Sequence, residues 1–234
     1  MEFNNETIRT AVNLYARNET EGEEKYGHIN TWNVSNVTDM RHLFRDMRHL
    51  YRGAHSFNQP FNQPLNNWDV SNVTDMALMF YDLQLFNQPL DEWNVSNVTD
   101  MSQMFSHTKA FNQPLNTWNV SNVTNMYGMF SRTFEFNKPL NNWNVSNVTS
   151  MTGLFDFTEI GNMLKKHNLT NENYFDKKVY KNVYHEVFVW PRKKDYVTFL
   201  VNNQYLPLNK HQEKHEYHPL FDNPDMSKYI ACYL

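Results

Sequence analysis

The chain has 234 residues, 40% hydrophobic and 20% charged, enough apolar material to build a folded core. Its net charge of −4 offers no electrostatic footprint for a polyanion such as nucleic acid. The single cysteine, Cys232, excludes an intrachain disulfide and a cysteine-built zinc cluster, and six glycines are few for a nucleotide-binding α/β enzyme.

At the N-terminus no basic start precedes an apolar run, so a secretory leader is not expected, and no run reaches the length of a membrane span. The expected location is therefore the cytoplasm or a virion packaged from it. Asn5 is placed to cap a helix running to about Asn18. Ile8, Ala11, Val12 and Tyr15 keep helical spacing and give that helix one apolar face. Residues 1–28 are expected to act as an N-terminal helical cap.

From residue 29 the chain is repetitive. Trp68, Trp93, Trp118 and Trp143 are 25 residues apart, and each opens a version of Trp-Asn-Val-Ser-Asn-Val-Thr-x-Met, with Asp69 replacing the first Asn in one copy. A Met-Phe or Leu-Phe pair comes next (79–80, 104–105, 129–130, 154–155), then Phe-Asn-Gln/Lys-Pro-Leu at 86–90, 111–115 and 136–140. Trp32 opens an earlier copy that lies 36 residues before Trp68. The excess is duplicated text: DMRHLFR is followed by DMRHLYR, and FNQP by FNQP. Residues 29–155 thus hold five turns of one unit, the first carrying a bulge.

The spacing Leu90-x-x-Trp93-x-Val95-x-x-Val98 fits the leucine-rich-repeat pattern. Trp-x-Val alternates as a half-buried strand does. The expectation is an α/β repeat solenoid, leucine-rich-repeat-like, with a short parallel sheet of one strand per turn. The Met-x-x-Met-Phe stretch is expected to return as a 3₁₀ or short helical segment. The repeated Trp, Met and Phe are expected to be core.

The phrase FNQPLNNWDVSNVTDM closely resembles the BspA-like leucine-rich-repeat family, the bacterial surface protein repeat also called DUF285, and the segment from Thr7 to Trp32 is similar to the N-terminal cap that often precedes it. The resemblance covers residues 29–155. It implies binding and adhesion rather than catalysis. The absence of a signal or lipobox cysteine points to the type found in giant DNA viruses and protists.

Residues 156–234 depart from the repeat and are expected to form a small α+β cap or domain, beginning with a helix over Glu159–His167 and continuing through strands near Val179–Trp190, Tyr196–Val201 and Tyr205–Leu208. His211 and His215, four apart with His218 beyond, are a weak candidate metal set, and a solvated polar helix accounts for them equally well. Arg41, Arg45, Arg48 and Arg52 concentrate positive charge in the duplicated insert, either to grip an acidic group or as a solvated loop.

No catalytic or cofactor motif stands out, so the expected function is a non-enzymatic protein-binding or scaffold module without a cofactor. The partner is expected to be a protein or a further copy, not nucleic acid. A minor structural component of a viral particle or surface layer is the alternative, with a metal-dependent enzyme in the C-terminal part behind it. The candidate binding face is the row of outward polar positions beside the buried Trp and Val, among them Asn33, Asp69, Glu92, Asn94, Asn119 and Asn144. That row lacks the Tyr, Trp and Arg anchors of binding hot spots, so the insert and the C-terminal part are expected to carry more of the specificity.

Overall fold

The computed structural model describes residues 1–44, 47, 61–166 and 168–175. The chain divides into two compact units, Met1–Val183 and Tyr184–Leu234. The expected C-terminal strands, the histidine set and most of the arginine-rich insert lie outside the described residues.

The first unit opens with helix α1, Asn5–Arg17. Its cap is Asn4 rather than the expected Asn5: the Asn4 side chain accepts from the Glu6 and Thr7 amides, and the Thr7 hydroxyl oxygen accepts from the Asn4 amide. That reciprocal arrangement satisfies orphan donors at the helix start. Ile8, Ala11, Val12, Tyr15 and Ala16 are its buried face. Helix α2, Glu19–Tyr26, turns back along it. Gly22 permits the approach, since a Cβ there would meet the Tyr15 Cα at 2.7 Å. A 3₁₀ turn, Ile29–Thr31, leads into the first coil.

The five coils start at Ile29, Leu65, Leu90, Leu115 and Leu140. Their side chains stack in columns. Phe44, Phe80, Phe105, Phe130 and Phe155 lie ring over ring, with successive centroids 5.4–5.9 Å apart. Phe61, Phe86, Phe111 and Phe136 form a second column and the tryptophans a third. All these side chains are buried. Near-parallel offset rings within about 4.5–7 Å gain packing beyond the area they bury.

The α/β solenoid with a parallel sheet does not form. The described residues contain no β-strand, and the coils meet through isolated parallel bridges: Asp39 to Asp75, Asp75 to Asp100, Asp100 to Asn125 and Asn125 to Ser150. The physical reason is that each coil is a chain of tight turns. The Trp93 amide donates to the Leu90 carbonyl, Val98 to Val95, Met104 to Met101, Thr108 to Phe105 and Phe111 to Thr108. Each of these turns ends on a core residue, so the dominant spacing is three, and Trp-x-Val is left as a link between two turns, too short to pair as a strand.

Nor is the Met-Phe stretch helical. Leu78 and Asp82 hold left-handed backbone angles (φ 57° and 60°), as do Gln103 and His107 in the next coil and Gly128 and Arg132 after that. Those reversals turn alternate amides toward the following coil: Met76, Leu78, Phe80 and Asp82 donate to the carbonyls of Asp100, Ser102, Met104 and Ser106.

After the last coil come α3, Glu159–Lys166, and α4, Asn171–Phe175. The first coincides with the helix expected over Glu159–His167. Gly161 sits against the Phe155 carbonyl, where a Cβ would come within 1.9 Å. Tyr174 and Phe175 close the aromatic columns, Phe175 stacking on Trp143 and Tyr174 tilting against Phe155. Among the described residues no helix is long and apolar enough to cross a membrane.

Candidate interaction surface

Several of the polar residues that recur from coil to coil join one coil to the next. In the Ser-Asn-Val segment, the side-chain amide of Asn97 donates to the Ser71 carbonyl at 2.7 Å, Asn122 to Ser96 and Asn147 to Ser121. Thr99 gives both its amide and its hydroxyl to the Thr74 carbonyl, and Thr124 does the same to Thr99. The indole N–H of Trp93, Trp118 and Trp143 reaches the carbonyl of Leu65, Leu90 and Leu115, each at 2.9 Å. An asparagine column runs alongside, the backbone amides of Asn87, Asn112 and Asn137 donating to the side-chain oxygens of Asn62, Asn87 and Asn112.

The candidate binding row sits on this constant face. Asn33, Asp69, Asn94, Asn119 and Asn144 each accept, through the side-chain oxygen, the amide of the serine two residues on. These are Asx turns, in which a short side chain substitutes for a backbone acceptor. The Ser71 hydroxyl and amide hold the Asp69 carboxyl below its ordinary value. Glu92 is exposed, and its amide donates to Asn66. Arg41 pairs with Asp75, whose hydrogen bond and charge raise the Arg41 pKa. Arg45, Arg48 and Arg52, like His211, His215 and His218, lie outside the described residues, so Arg41 is the one member of the basic set that can be placed.

A different face is made by residues 77–85 and their equivalents 102–110, 127–135 and 152–160. Every third or fourth side chain there enters the core, and most of those between point outward. These intervening positions change from coil to coil: Ala77, Ser102, Tyr127 and Thr152 in one column, of which only Ala77 is buried; Asp82, His107, Arg132 and Phe157 in another; Gln84, Lys109, Phe134 and Glu159 in a third. Tyr127 (48% exposed), Phe134 (47%) and Phe157 (50%) are the large apolar side chains this face exposes in its last two coils. The Arg132 guanidinium lies 4.4 Å from the centre of the Phe157 ring, and the Lys165 ammonium 5.4 Å from it, while Lys165 also pairs with Asp156. Cations over an aromatic face are attracted by its negative π-cloud.

Tyr127, Arg132, Phe134 and Phe157 are absent from the sequence-derived site. Their signal was nevertheless present: they stand where the copies disagree. A column that keeps its residue through the array serves the array, and a column that changes is free of that duty.

The family profile described as "Mycoplasma protein of unknown function, DUF285" matches residues 12–60, 23–81 and 46–166, together more than half of the chain. The chain belongs to this family. Neither a curated protein nor a solved structure matches it.

Proposed function

We propose that the protein is a non-enzymatic binding scaffold, in which stacked coils hold a changing surface rigid for a protein partner. The observation that supports this reading is the division of labour among the columns. Constant polar side chains join the coils, whereas the changing columns display Tyr127, Arg132 and Phe134, and tyrosine and arginine are the types enriched at binding hot spots. The aromatic columns beneath give these side chains a fixed backing, so little ordering entropy is spent when a partner arrives.

The test compares three forms of the full chain by cross-linking and mass spectrometry in extracts of the source cells. They are the unaltered chain, a Tyr127→Ala/Arg132→Ala/Phe134→Ala form, and an Asn94→Asp/Asn119→Asp form altered only on the constant face. The expected outcome is a partner captured by the first and third and lost from the second, with cross-links to residues 127–135. Capture that survives the triple change and fails with the constant-face change would reject the reading.

A further inference from the structure

The two ends of the coil stack are finished differently. At the first coil the ladders are closed by residues 1–28. The Trp32 indole donates to Gly27, Asn36 to Glu2, and the Thr38 amide to Asn5. Arg9 donates to the carbonyls of Asp39 and Arg41, and Phe3 packs on Trp32. At the last coil, α3 and α4 cover the aromatic columns, and Asn171 donates to the Met151 carbonyl. They do not fill the edge formed by residues 140–150.

Three carbonyls along that edge lack, among the described residues, the inter-coil donor that their equivalents receive in the preceding coils. The Leu115 carbonyl takes the Trp143 indole as well as the Trp118 amide, and Leu140 keeps only the amide of Trp143. The Ser121 carbonyl takes Asn147, and Ser146 has no counterpart. The Thr124 carbonyl takes the amide and hydroxyl of Thr149, and the Thr149 carbonyl is unfilled. Beside them Val145 and Val148 are only half-buried, whereas Val95, Val98, Val120 and Val123 are fully buried under the next coil. Acceptors short of an inter-coil donor, next to partly covered apolar side chains, are how an edge that takes another segment presents itself.

We propose that residues 140–150 form a docking edge for a segment of another protein, one that carries Trp or another N–H donor followed by Asn-x-Thr in the coil's own turn conformation. The chain itself displays the fit at each coil junction. The Asn must face Ser146 with its side-chain amide, because a carbonyl accepts; Asp in its place would set oxygen against oxygen. Val or another β-branched residue between them would complete the cover over Val145 and Val148. A second copy does not supply this segment, because its matching edge is already occupied by Glu2, Asn5 and Gly27. The edge is separate from the changing columns, and its occupant is independent of theirs.

The experiment uses the full chain, isotope-labelled, and a synthetic peptide with the sequence of residues 115–126. Saturable amide shifts confined to residues 140–151 are expected. Replacing the asparagine that corresponds to Asn122 in the peptide by Asp should weaken the effect about tenfold or more. The Val148→Lys chain should lose the effect, and the Tyr127→Ala/Arg132→Ala/Phe134→Ala chain should keep it. The absence of shifts, shifts centred on residues 127–135, or equal shifts with the Asp peptide would each overturn the proposal. Because the peptide substitution leaves the protein untouched, the result does not depend on whether Val148→Lys folds.

Discussion

The constant face and the changing face of the same coils both carry exposed side chains and do opposite things with them. On the Trp-to-Met segment, exposed Asn and Thr side chains are fastened to the neighbouring coil. Along residues 77–85 and their equivalents, backbone amides and the buried Thr108 and Thr133 hydroxyls do the fastening, and the outward side chains change from coil to coil. Exposure therefore says little here about availability. An exposed Asn97 is a structural residue, and an exposed Phe134 is not.

The largest test of this contrast lies beneath both faces. Trp93→Ala and Trp118→Ala should each cost about 3–5 kcal/mol, since each removes a buried ring and leaves a carbonyl of the previous coil without its indole donor. Phe134→Ala and Lys109→Ala should stay within about 0.5 kcal/mol. Urea melts decide it, and a tryptophan effect below that of Phe134→Ala would break the column assignment.

Next in size are the left-handed positions. The column through His42, Leu78, Gln103, Gly128 and Gly153 holds positive φ throughout, and glycine alone adopts it without a Cβ penalty. Gly128→Ala should destabilise by about 1 kcal/mol, and Leu78→Gly or Gln103→Gly should recover part of that amount. Equal melts for all three would mean that these angles relax at no cost.

Asn97→Ala and Asn122→Ala come third. Each removes a 2.7 Å bond to the preceding coil and should cost about 1 kcal/mol despite the exposure of the side chain. Asn119→Ala, which loses only a local Asx turn, should cost less in the same melts.

The smallest effect belongs to Asp69, the one carboxylate in the column of Asn33, Asn94, Asn119 and Asn144. Its pKa is lowered in the fold, so its contribution is complete above the usual carboxylate range near about 3.9 and is lost as pH falls through the lowered value. Asp69→Asn restores the side chain used in the other coils and should remove that portion of the acid sensitivity. Denaturation midpoints compared at pH 6 and pH 3 should show a slightly smaller drop for the variant; an identical drop would place the acid sensitivity elsewhere.

Much was written in the repeat itself. Five copies of one phrase set the number of coils, and apolar residues recurring at 25-residue intervals must stack, because identical side chains at identical positions fill one continuous interior. The α1 face of Ile8, Ala11, Val12 and Tyr15 comes from helical spacing alone. The local conformation was not legible in the same way. Trp-x-Val satisfies the period of a strand as well as that of a link between turns, and the choice depends on carbonyls one coil away, such as that of Leu65 receiving the Trp93 indole. The left-handed angle at Leu78 has no local residue signal, unlike that at Asp82, a type that tolerates it; the pairing of the Leu78 amide with Ser102 holds it there. The availability of a surface side chain was the least legible of all. Sequence set the polar row of Asn33, Asn94 and Asn119 on the outside, but only the folded turns decided that their oxygens face their own backbone. The same folding leaves Tyr127, Arg132 and Phe134 on the surface, because the inward places of these coils are already filled by phenylalanine, methionine and threonine.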